Sequence, residues 1–240
     1  MSDDAETNDA SPTSGSNVWT DLGLTLPIFI LYHLGVVFLP VRNAADPVTS
    51  ELKALANQSL PLYASLTVAI GAALLLMLSL IGKAGALQIW RFAFVAVEGV
   101  AYAIVMRIVG GYALHAVPLQ AGSETTSMIA SAFPNVVMSL GAGFYEEIVF
   151  RVGLFGSGAW IIKTMEGCGP TGIALIIGWA VISALAFSGW HHIGPLADAF
   201  DARVFVYRAV CGLVLTAIFV FRGFAPAVWT HVLYDIWAMG

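Results

Sequence analysis

The sequence predicts an all-α, polytopic transmembrane helical bundle of about seven or eight spans, and three observations predict it. Of the 240 residues, 59% are hydrophobic and 10% are charged, against about 25% charged in a soluble domain. Mean hydropathy is +0.85. The apolar residues also gather into runs near the ~20 residues that a helix needs to cross a hydrocarbon layer. The expected setting is therefore an integral, multi-pass protein of the cell membrane, with lipid as its surroundings. No basic patch points to nucleic acid. Cys168 and Cys211 are too few for a disulfide framework; Cys168 reads as a loop residue and Cys211 as a small core residue.

Residues 1–21 hold Asp3, Asp4, Glu6, Asp9 and Asp21 and no Lys or Arg. This segment reads as a disordered acidic tail, without the basic start of a signal peptide. The first apolar run covers about 22–40 and stops at Pro40. The polar text VRNAADPVTSELKALANQSL reads as a loop with a short interfacial helix. A second run over about 62–82 is the cleanest, and a third over about 88–109 carries Arg91, Glu98 and Arg107. Glu98 and Arg107 suggest a structural pair or interfacial snorkels. His33 in the first run and His115 in the loop over 110–127 have no evident partners.

The fourth run, about 128–162, is too long for one straight span. Its Gly141, Gly143, Gly153, Gly156 and Gly158 permit either close helix approach or a break. The fifth covers about 170–190, and the loop HIGPLADAFDAR with Asp198 and Asp201 in solvent follows it. The sixth covers about 204–221 and the short seventh about 225–239. Trp19, Trp90 and Trp160 fit an interfacial belt. The organisation is thus a tail at 1–21, N-terminal spans over 22–127 and a core over 128–240. No internal repeat is visible, and Lys and Arg divide evenly between the two sides, so the positive-inside rule sets no orientation.

Charged groups inside apolar runs carry the chemistry. Glu146 and Glu147 are adjacent within GAGFYEEIVFR. A carboxylate at membrane depth costs roughly 2.5 kcal/mol or several times that. Neighbours on a helix lie about 100° apart, so the two carboxylates have different surroundings. Glu147 and Arg151 are spaced i,i+4 with the acid first, the favourable order for an ion pair. Glu146 has no such partner in its own helix and is a candidate general base. Both glutamates could equally be structural, tying helices together through Arg151. His191 and His192 end the fifth run, where an interfacial role is the commoner one. His231 and Asp235 share a helix face at i,i+4, an arrangement that orients an imidazole or makes a structural hydrogen bond. Ionisable groups from three apolar runs normally face one another or a wet cavity, so their convergence would form a site. There is no zincin helix, nucleophile elbow or Walker loop.

EEIVFR reads as EExxxR with Glu146, Glu147 and Arg151, FSGWH as FxxxH with Phe187 and His191, and HVLYD as HxxxD with His231 and Asp235. In this order, the three motifs resemble those of the CAAX protease and bacteriocin-processing (CPBP, or Abi) family of intramembrane proteases, over about residues 130–238. The resemblance implies a bundle of about eight spans around a conical, water-filled cavity. It implies that Glu146 with His191 activates water, that His231 and the residue at 235 stabilise the oxyanion, and that Arg151 and Glu147 hold the site together. It brings a peptide or membrane-protein substrate, a prenylated tail or a bacteriocin leader among them. Prenyl-protease members carry Asn at the last motif position, where this chain has Asp235. An ionised Asp repels an oxyanion, so Asp235 is read as orienting His231.

Three functions follow. The first is an intramembrane glutamate-type endopeptidase with no metal or other cofactor. The second is the same protease with Zn²⁺ on Glu146, His191 and His231. The third is a proton-coupled transporter or membrane scaffold using buried Glu and His, disfavoured by the absence of an inverted repeat.

Overall fold

The computed structural model describes residues 18–80, 88–115, 132–194 and 197–239. Every regular element among them is helical. The elements are α1 (Val18–Val36), α2 (Val48–Leu55), α3 (Leu60–Leu80), α4 (Ile89–His115), α5 (Ala132–Gly141), α6 (Ser157–Glu166), α7 (Pro170–Trp190), α8 (Ala202–Arg222) and α9 (Phe224–Met239). Among the described residues, six helical segments are long and apolar enough to cross a membrane. The chain is a multi-pass integral membrane protein.

The outer surface explains the composition. Val97, Val100, Ile104 and Ile108 on α4, and Ile177, Val181 and Ile182 on α7, point outward. Polar groups collect inside: Asp21, His33, Asn43, Asp46, Glu146, Glu147, Arg151 and His231 are all buried. Lipid solvates the apolar exterior, while each interior polar group must find a protein partner or a wet cavity.

The acidic tail lies outside the described residues as far as residue 17. Residues 18–21 form the first turn of α1, and buried Asp21 accepts a hydrogen bond from the Phe224 N–H at 2.7 Å. The first span therefore starts earlier than expected because its acid caps the entry to α9. His115 lies at the end of α4 instead of in a loop.

The long fourth run does not break. Ala132–Glu166 is one continuous 35-residue helical segment. Its middle is π-helical over Ala142–Glu146 and Ile148–Gly156, with Glu147 between the two stretches. π-Helix is rare and concentrates at functional sites. Widening the helix there changes the direction in which Glu146, Glu147 and Arg151 project. Gly143 permits the π stretch to meet α9, since a Cβ would strike the Val232 side chain and stand 3.1 Å from the Val228 carbonyl oxygen. Gly212 similarly brings α8 against Phe187 and Ala184 of α7, at 3.1 and 3.3 Å from a Cβ.

The seventh apolar run is α9, at 16 residues shorter than a usual span. It is wrapped by protein: Ala225, Ala227 and Val228 are fully buried. Val228 and Val232 join Ile28, Tyr32 and Val36 of α1 and Val137, Leu140, Phe144 and Tyr145 in one core cluster. α9 is thus the central element on which His231 and Asp235 are mounted. Gly223, at φ 102°, makes the sharp turn from α8 into it.

Of the outlying charges, Asp198 is exposed as expected, but Glu98 and Arg107 do not pair with each other. Glu98 joins Arg222 at the end of α8, at 2.5 Å, and not Arg107, which lies over the Trp237 ring at 4.6 Å. Asp198 is paired with Arg208 at 2.6 Å, and Asp201 caps α8 by accepting from the Arg203 and Val204 N–H groups. Glu98 and Arg107 are nine residues apart on one helix, so a long side chain from the end of α8 reaches Glu98 instead.

Candidate active site

Three elements converge on one cavity of about 810 Å³ whose lining includes Glu146, His191, His231 and Asp235. That volume is within the range of small-ligand and peptide sites. The π stretch delivers the carboxylates, the end of α7 delivers His191, and α9 delivers His231 and Asp235. Further lining comes from Asn43, Phe187, Tyr207, Arg208 and Cys211.

Glu146 is buried at 4% exposure. Its Oε1 accepts from the Asn43 side-chain amide at 2.9 Å. Its Oε2 has no hydrogen-bond partner among the described residues and stands 3.5 Å from His191 Nε2. That separation is a charge contact, longer than a good hydrogen bond. His191 Nδ1 is 2.9 Å from the Phe187 carbonyl. A carbonyl only accepts, so Nδ1 carries a proton and the neutral ring turns a lone pair on Nε2 toward Glu146. Burial pushes the His191 imidazole below its ordinary value, and outweighs the Glu146 carboxylate and the Phe187 carbonyl, which act to raise it.

Glu147 is fully buried and holds a different set. Its Oε1 is 3.1 Å from Arg151 NH1 and 2.7 Å from His231 Nδ1. Arg151 NH2 also donates to the Gly212 carbonyl at 3.4 Å. The guanidinium lies over the Phe187 ring at 4.3 Å. That ring is edge-on to both His191 and His231, at centroid separations of 5.1 and 5.8 Å. His231 Nε2 is 3.5 Å from Asp235 Oδ2, so the ring has a carboxylate facing each nitrogen. The i,i+4 pairs expected from sequence, Glu147 with Arg151 and His231 with Asp235, are both present.

The structure therefore assembles all seven expected residues in two linked groups. Glu146 and His191 form one, open to the cavity. Glu147, Arg151, Phe187, His231 and Asp235 form the other. His192 points away, with Nδ1 3.2 Å from the Asp198 carbonyl and its ring against Phe200. Among the described residues, no group of three or more His, Cys, Asp or Glu side chains is arranged to hold a metal ion. The expected set of Glu146, His191 and His231 does not form such a group among the described residues.

Sequence reasoning missed Asn43, in a polar loop without periodicity or motif. It also missed the partners of His33, which is fully buried between Tyr63 OH at 3.1 Å and Tyr145 OH at 2.6 Å. Both partners lie more than one helix away in sequence.

Residues 128–237 match the family model described as Type II CAAX prenyl endopeptidase Rce1-like. No curated protein and no solved structure matches the chain. The matched segment holds all three motifs. This match supports a protease acting on a peptide or protein substrate in a lipid environment.

Proposed function

We propose that this chain is an intramembrane endopeptidase of the Rce1-like family in which Glu146 and His191 activate the attacking water. The observation that carries the reading is the 3.5 Å separation of Glu146 Oε2 and His191 Nε2 at the cavity wall. Both atoms are acceptors in the neutral-histidine form. A water between them can donate one proton to each, which turns its lone pair outward toward a peptide carbonyl.

The steps balance with those groups. Water oxygen bonds to the scissile carbonyl carbon while Glu146 Oε2 takes the proton. The carbonyl π electrons move to oxygen and give a tetrahedral oxyanion. The C–N bond then breaks, and Glu146 returns the proton to the departing nitrogen. His231 stands across the same cavity with Nδ1 engaged by Glu147. A proton on Nε2 is the one available to an oxyanion, and Asp235 beside it orients the ring. Fixed donors aimed at developing charge are the strongest single contribution in reactions of this type.

The substrate reading is a peptide with an apolar or prenylated segment near the scissile bond. Met106, Leu114, Met138 and Leu215 supply an apolar wall to the cavity, which suits such a segment, and the family is described by prenyl substrates. The test is cleavage of quenched-fluorescent peptides by purified protein in proteoliposomes, one carrying a farnesylated cysteine and one the same sequence unmodified. Glu146→Gln and His191→Ala are each expected to abolish cleavage while keeping wild-type expression and melting behaviour. Full activity in either variant removes that residue from the mechanism.

A further inference from the structure

Asn43 belongs to none of the three motifs and lies outside the family-matched segment 128–237. It reaches the site from the loop between α1 and α2 and is buried at 6% exposure. Its Nδ2 donates to Glu146 Oε1 at 2.9 Å, and its Oδ1 accepts from the Ala45 N–H at 2.8 Å. Because a backbone N–H occupies the oxygen end, the nitrogen end must be the one that faces the carboxylate. The Asn43 N–H donates to Tyr32 OH at 3.2 Å.

The loop that presents this amide is anchored. Tyr32 OH donates to Asp46 Oδ2 at 2.8 Å. Asp46 Oδ1 accepts from the Val48 and Thr49 N–H groups at 2.8 and 3.0 Å. The Thr49 hydroxyl also donates to Asp46 and lies 3.3 Å from His33 Nδ1, which ties the loop to Tyr63 and Tyr145. A neutral amide on a fixed loop therefore meets the one carboxylate of the pair that lacks an arginine.

The consequence is that the two oxygens of Glu146 are not equivalent. Oε1 is held by an amide, and Oε2 faces His191. We propose that Asn43 is a positioning residue for the hydrolytic reaction. Its amide fixes Oε1, aims Oε2 at His191 Nε2 and the cavity, and so makes the N-terminal loop a working part of a site whose motifs all lie in the C-terminal half. The proposal rests on Glu146 being the base.

The competing role is structural, because Asn43 also braces its own loop through Ala45. Asn43→Asp separates the two. It keeps the size and the acceptor for the Ala45 N–H but replaces the donor facing Glu146 with a second carboxylate. The experiment measures kcat and KM from low to neutral pH for full-length wild type, Asn43→Ala and Asn43→Asp, with whichever of the two peptides above wild type cleaves. Both variants are expected to lose kcat on the order of 10²-fold at neutral pH, the scale of a misplaced reacting group, with KM nearly unchanged. The kcat of Asn43→Asp relative to wild type should recover as pH falls, because a protonated carboxyl donates as the amide does, whereas Asn43→Ala should not recover. Wild-type kcat in Asn43→Asp at neutral pH overturns the proposal, as does a pH profile parallel to that of Asn43→Ala. Should Asn43→Ala not fold, the Asn43→Asp profile against wild type decides alone. An active Glu146→Gln variant sinks the assignment of the base, and this proposal with it. An inactive Glu146→Gln beside a fully active Asn43→Asp sinks only the role of Asn43.

Discussion

Glu147 Oε1 lies 2.7 Å from His231 Nδ1 and 3.1 Å from Arg151 NH1, with all three side chains exposed by 5% or less. One carboxylate oxygen thus joins the π stretch to α9 and to its own following turn. The second carboxylate of the family motif is in this way the brace for the histidine across the cavity, and its neighbour Glu146 is left to face His191.

Removing the cation from that brace leaves a buried carboxylate without compensation. Arg151→Ala is expected to cost about 3–5 kcal/mol, the usual penalty for breaking a buried pair. The check is the shift in unfolding midpoint of detergent-solubilised protein against wild type. A shift equivalent to less than about 1 kcal/mol, typical of exposed pairs, would show that Arg151 does not stabilise the brace.

His191 sets a pH dependence with a definite sign. Its folded-state value is below its ordinary 6.5 because burial disfavours the charged ring. The unfolded chain therefore binds more protons than the folded one just below pH 6.5, so stability falls as pH drops from there toward the folded value and levels off below it. Activity that needs the neutral ring should persist below pH 6.5 and fail only at more acid pH. A kcat/KM profile breaking above 6.5 on its acid limb would contradict the burial of this ring.

Asp46 governs the loop that carries Asn43. Burial raises the Asp46 carboxyl, but hydrogen bonds from Thr49, Tyr32 and Val48 outweigh it and hold the group below the ordinary 3.8. Its contribution is present above that value and lost as pH falls through the folded value. Asp46→Ala strands buried donors and should destabilise by about 1–3 kcal/mol. It should also lower kcat through Asn43, measured by thermal unfolding and peptide cleavage on the same preparation. Unchanged stability would mean that the loop is held by other contacts.

Gly143 sets the distance between the π stretch and α9. Gly143→Val puts a Cβ into the Val232 side chain and 3.1 Å from the Val228 carbonyl oxygen, and overpacking of this kind costs about 1–3 kcal/mol. Moving α9 by about 1 Å displaces His231 from Glu147 and should cut cleavage on the order of 10²-fold. Retained cleavage with lowered stability would show that the contact is structural only.

Metal removal separates the two protease mechanisms. Treatment with a strong chelator is expected to leave cleavage unchanged, because Glu146, His191 and His231 form no metal-holding group among the described residues. Loss of activity that Zn²⁺ restores would instead support ligation by Glu146, His191 and His231.

The three motifs were legible because each places its groups within one helical turn, and i,i+4 spacing maps directly onto contact. That is why Glu147 with Arg151, and His231 with Asp235, could be paired from text alone. His33 resisted the same reading because its partners, Tyr63 and Tyr145, come from other helices. For Glu98 the text allows a pair with Arg107 or an interfacial snorkel, and only the packing of α8 brings Arg222 beside it. The glycines of the fourth run left close helix approach and a break both open, and only the packed structure decides for approach: Gly141, Gly143 and Gly158 receive Tyr32, Val232 and Trp179 from neighbouring helices.

Composition and apolar run length by themselves determined a multi-pass helical bundle, because a backbone in hydrocarbon must satisfy its own hydrogen bonds and helices of sufficient length do so locally. Motif order also determined which acids and imidazoles to watch. Tertiary structure alone decided that Glu147 braces His231, because that depends on a π-helical widening and on how closely α9 approaches it. It alone brought Asn43 from a distant loop to Glu146, a contact made by packing across helices that no local spacing encodes.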